Sequence, residues 1–78
     1  GVKVGLSFYY TDKGINFTNN SHNPIAFKII DLSGKIVFET EVQKEYKLTN
    51  AMLRKGVYFV SFDENYHNNS GCKKLVVF

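Results

Sequence analysis

Turn-forming Gly, Asn, Asp and Ser interrupt this chain at intervals of roughly 8–12 residues, and the stretches between them are short and β-rich. No longer window carries apolar positions at i, i+3, i+4 and i+7 between caps, so the helical period is absent. Seven segments are left as predicted strands: 2–10, 14–18, 25–31, 35–42, 46–49, 57–63 and 72–78. That number and spacing favour one all-β domain over residues 1–78, an immunoglobulin-like antiparallel β-sandwich.

The turns carry their own chemistry. In Asp31-Leu32-Ser33-Gly34 the Asp carboxylate can accept from backbone N–H groups two or three residues on, and Gly34 can take the left-handed conformation that sends the chain into Lys35. Asn19-Asn20-Ser21-His22-Asn23-Pro24 is a polar loop, which Pro24 ends by holding Asn23 extended. Residues 50–56 suit a single helical turn capped at Asn50, crossing from one sheet to the other, and 65–71 a long polar hairpin loop.

Parity along the runs predicts the core. Ile25, Phe27 and Ile29 face one way with Lys28 opposed; Tyr58, Val60 and Phe62 go inward, leaving Val57, Phe59 and Ser61 on the other side. Ile36, Phe38 and Val42 share a side. Seven Phe and five Tyr in a 44% apolar chain supply a packed core and argue against disorder. A single cysteine rules out an internal disulfide, so packing alone holds the fold. Gly56-x-Tyr58-x-Val60 parallels the tyrosine corner of immunoglobulin domains, in which the hydroxyl bonds back to upstream backbone.

Candidate chemistry is sparse. Net charge is +3, spread along the chain, and no apolar run is long enough to span a bilayer. Lys55 to Phe62 approaches an RNA-recognition octet, but Val57 replaces one stacking ring, Tyr58 stands where a tiny residue is needed, and the two crossover helices are missing. A barrel that binds single strands by aromatic stacking needs basic residues beside Phe59, and the sequence does not align them there, so no nucleic-acid partner is expected. The sequons at Asn16, Asn19 and Asn68 are chance matches in an Asn-rich chain. His22 and His67 lie in polar loops without neighbouring ligands; Asp31, Asp63 and Glu64 lack the spacing of a Ca²⁺ loop. Cys72, at the head of the last strand, reads as a half-buried thiol. With no nucleophile elbow, no phosphate loop and no cleft, neither an enzyme nor a cofactor is expected. Tyr9, Tyr10 and Tyr46, if exposed together, would suit stacking on sugar rings, which keeps open an accessory module binding carbohydrate or protein.

Three stretches, in order, resemble a known family. Phe27 to Val37 resembles its strand, Asp-x-x-Gly-Lys turn and strand around Asp31 and Gly34; Leu53-x-x-Gly56-Val57-Tyr58 resembles its Leu-x-x-Gly-Val-Tyr signature; Lys73-Lys74-Leu75-Val76-Val77 resembles its closing strand. The family is the type A C-terminal sorting domain of type IX secretion system substrates in the Bacteroidetes, and the match runs over residues 14–78. Its opening Tyr-Pro-Asn-Pro is absent; Tyr9 to Phe17 occupies that place without either proline. The resemblance implies an immunoglobulin-like domain at the end of a larger secreted protein. The parent would pass the periplasm, be read by the outer-membrane translocon and be processed by a sortase-like peptidase at the cell surface. By position, Lys73, Lys74, Leu75, Val76, Val77 and Phe78 would be the element the machinery reads, while Asp31, Gly34, Leu53, Gly56 and Tyr58 hold the fold. A terminal edge strand offers backbone for strand addition, and would equally let two copies pair edge to edge.

Overall fold

A computed structural model describes residues 5–64 and 69–78. Seven strands follow one another: β1 (Leu6–Thr11), β2 (Gly14–Asn19), β3 (Ile25–Asp31), β4 (Ile36–Val42), β5 (Glu45–Thr49), β6 (Gly56–Glu64) and β7 (Asn69–Val77). They form two antiparallel sheets, β1-β2-β5 and β4-β3-β6-β7. The expected β-sandwich is therefore present. β4 pairs with β3, so it joins the four-stranded sheet instead of the sheet it occupies in constant-type immunoglobulin domains.

The core lies where parity put it. Ile25, Phe27 and Ile29 are 0–2% exposed, and Val60 is fully buried beside Tyr58. Phe17 of β2 stacks on Phe27 of β3 at 4.4 Å between ring centres and 18° between planes, joining the two sheets through their bulkiest side chains. Full burial of a Phe contributes about 2–3 kcal/mol, and these two rings fill the centre of the sandwich. Phe62 and Phe38 pack at the margin of the core, whereas Ile36, at the start of β4, is 46% exposed.

Two local expectations are corrected. Residues 50–56 contain no helical turn; the Met52 N–H closes a tight turn on the Thr49 carbonyl at 3.1 Å. Asn50 does not cap a helix, but ties this crossover to the β1–β2 turn through its backbone N–H on Lys13 O, 3.0 Å away. The crossover does pass between sheets, from β5 to β6. The polar loop expected over 65–71 is shorter, because 69–71 belong to β7 and Gly71 pairs with Phe62. A Cβ at Gly71 would overlap the Phe62 ring, so this glycine marks a close approach within a strand, although its type reads as a turn residue. The remainder of that loop with His67 and Asn68, and residues 2–4 of the first predicted strand, lie outside the described residues.

Candidate functional site

Among the described residues β7 is an edge strand, bonded to β6 on one side only. Its side chains alternate. Leu75 is fully buried and Val77 is 7% exposed, while Cys72 and Lys74 stand on the outer face of the sheet. Lys73 is half-buried; its ammonium donates to the Leu6 carbonyl at 3.3 Å and lies 5.9 Å from the Phe62 ring centre. Of the six residues predicted to be read, Lys74, half-buried Val76 and 80%-exposed Phe78 present side-chain surface in the folded domain, whereas Leu75 and Val77 belong to the core.

The backbone of β7 alternates too. The Val76 N–H points away from β6 and donates to the Tyr10 hydroxyl at 3.0 Å. In an antiparallel ladder the groups of every second residue face the same side, so the N–H and C=O of Lys74 and Cys72 also point outward. This is an open row of donors and acceptors of the kind that accepts another strand.

Behind this edge the fold is fastened by side chain-to-backbone bonds. The Tyr58 hydroxyl donates to the Arg54 carbonyl at 2.7 Å, closing the expected tyrosine corner and fixing the entry to β6 after Gly56. Leu53 packs half-buried against the core at the same corner. At the β3–β4 turn the Asp31 carboxylate accepts from the Ser33 hydroxyl at 2.6 Å, the Ser33 N–H at 2.9 Å and the Lys35 N–H at 3.0 Å. The acceptance therefore reaches two and four residues on. Gly34 holds φ at +90°, the left-handed value the turn requires. The Ser33 hydroxyl and the Lys35 N–H hold the Asp31 carboxyl below its ordinary value.

Several sequence expectations divide here. The three tyrosines do not form a patch: Tyr9 faces outward and accepts from Asn16 Nδ2, Tyr10 turns towards β7, and Tyr46 packs on Phe27 and Phe38. Phe59, by contrast, does have a basic neighbour, because Lys74 stands directly opposite it and Ile30 flanks it on the other side. The two crossover helices that RNA-recognition domains require are absent from the described residues. Cys72 is exposed, not half-buried.

Asn19, read as the start of a loop, is instead a buried fastening. Its Nδ2 donates to the carbonyls of Asn23, Val42 and Gln43, and its Oδ1 accepts from the Ser21 N–H and hydroxyl. Ser two residues after Asn signals the local turn but not the burial. Tyr10 was equally hidden, although it shares one parity with buried Leu6 and half-buried Phe8. Among known proteins, a family described as the secretion system C-terminal sorting domain matches residues 11–78. No curated protein matches the chain.

Proposed function

From a chain that belongs to the secretion system C-terminal sorting domain family, we propose a specific mode of reading in which export machinery adds a strand to β7. The coarser role follows from membership itself: the domain is a secretion signal, its family is non-catalytic, and it implies export to the surface or the medium through contact with secretion machinery. The finer reading is ours. The domain ends a larger exported protein, is captured at the outer membrane by the type IX translocon after crossing the periplasm, and is then handled by a sortase-like peptidase.

One observation carries this reading: β7 lies at the sheet edge with the backbone of Lys74 and Cys72 facing outward. Main-chain bonding would supply affinity, and the exposed Lys74 and Phe78 side chains with half-buried Val76 would supply selectivity. Leu75 and Val77 would act indirectly, by anchoring the strand at the edge. Removing the last six residues also removes core side chains, so a surface-only change separates reading from folding. A reporter carrying the chain with Lys74→Glu and Phe78→Ser should melt within a few degrees of the parent yet accumulate in the periplasm. Surface delivery at the parental rate would overturn the proposal.

A further inference from the structure

We propose that Tyr10 gates the edge of β7: its hydroxyl occupies the Val76 N–H, and a strand added by the export machinery must displace it to pair beyond Lys74. The gate rests on the sorting reading above and adds a control element on β1.

β1 and β7 belong to different sheets and share no backbone ladder among the described residues, yet three side-chain contacts join β1 to β7 and to the Phe78 that follows it. The Tyr10 hydroxyl receives the Val76 N–H at 3.0 Å, the Tyr10 and Phe78 rings meet edge-on at 5.8 Å, and the Lys73 ammonium reaches the Leu6 carbonyl at 3.3 Å. An edge N–H left bare invites pairing with any passing strand, and a hydroxyl on that donor blunts it. Tyr10 is nonetheless 47% exposed, so its ring can leave without opening the core. Among the described residues β1, like β7, is an edge strand backbone-paired on one side, so no ladder holds Tyr10 against Val76.

The blockade is partial. A strand approaching β7 meets outward backbone at Cys72 and Lys74 first, and then the Tyr10 ring at the level of Val76. A hollow of about 150 Å³, lined in part by Tyr10, Asn50, Val76 and Phe78, lies beside that contact. The fitting partner is an extended peptide segment that offers a backbone carbonyl to Val76 in place of the hydroxyl, with a side chain entering the hollow between Asp12, Asn50 and Phe78. Capture would thus proceed in two stages, a short pairing at Cys72 and Lys74 and then an extension past Val76 as Tyr10 swings out.

Amide exchange on the full chain and delivery of a reporter carrying it test the gate together. With Tyr10→Phe, the Val76 amide should exchange roughly 2- to 10-fold faster, as losing one hydrogen bond dictates. The Leu75 and Val77 amides, which face β6, should keep their protection. The initial rate of surface delivery should rise by a similar factor, and Tyr10→Leu, which removes the ring as well, should move both readouts further. Unchanged Val76 exchange would show that no latch exists. Faster exchange with unchanged or slower delivery, or with a gain in self-association alone, would make the hydroxyl a shield against aggregation and overturn the gate. Delivery that does not depend on the chain at all would remove the sorting reading and the gate's purpose with it, a failure told apart from the others by the wild-type control.

Discussion

The four-stranded sheet has two edges, and they are built on opposite plans. β4 presents Ile36 at 46% and Val37 at 36% exposure beside Glu39 and Glu41, and buries only Val42 completely. β7 sends Leu75 and Val77 into the core, places Lys74 on the surface, and has part of its free side occupied by Tyr10. An edge position alone therefore does not make a strand loosely held. β7 is firmly anchored by its side chains while its backbone stays addressable, and that combination suits an element read through its main chain.

The comparison breaks first at Leu75. Leu75→Ala should destabilise the domain by about 2–5 kcal/mol, because it empties a fully buried site between the sheets. A denaturant melt that moves by less than about 1 kcal/mol would mean that β7 is no better anchored than β4. Tyr58→Phe should cost about 0.5–1.5 kcal/mol by freeing the Arg54 carbonyl, and should loosen β6 where it supports β7. Amide exchange at the β6–β7 ladder would register that loosening, and a neutral result would reduce the corner to a fold marker.

On the β4 side, Asp31 gives a pH signature. Its folded carboxyl titrates below the unfolded value, near 3.8, so the unfolded chain binds more protons in that range. Its stabilising contribution is complete above that value and is lost as pH falls through the folded one. Asp31→Asn should flatten the slope of stability against pH below about 4 and leave the slope at pH 6–8 unchanged. A slope identical to the parent's would exclude the turn as its source. The smallest effect belongs to Val37→Thr, which should change stability by less than about 0.5 kcal/mol. A larger loss would place β4 among the elements the core depends on.

Much of this was legible beforehand for physical reasons. Period-2 runs such as Ile25-x-Phe27-x-Ile29 declare which face is wet, and Asp31 with Gly34 declares a turn whose bonds are local. Gly56 and Tyr58 signalled a corner because hydroxyl and carbonyl are only four residues apart. Distant pairings left no local sign. Gly71 accommodates a Phe62 ring, Asn19 binds carbonyls at the end of β4, 23 and 24 residues further on, and Tyr10 meets a backbone group 66 residues away. Polar and small residues are assigned to loops when their partners are out of view, and that bias lengthened the loop before β7 and split the candidate edge from the tyrosine that covers it.

The seventh strand completes the hydrophobic centre, since Leu75 and Val77 fill it from the last stretch of sequence. Synthesis runs from the amino end, and earlier parts of a chain can begin to compact while later ones are still being made. Here β1 to β6 are made before the Leu75 and Val77 side chains that fill the centre, so compaction of the domain waits on β7. Ribosomal order thereby keeps the domain pliable until its seventh strand has been made.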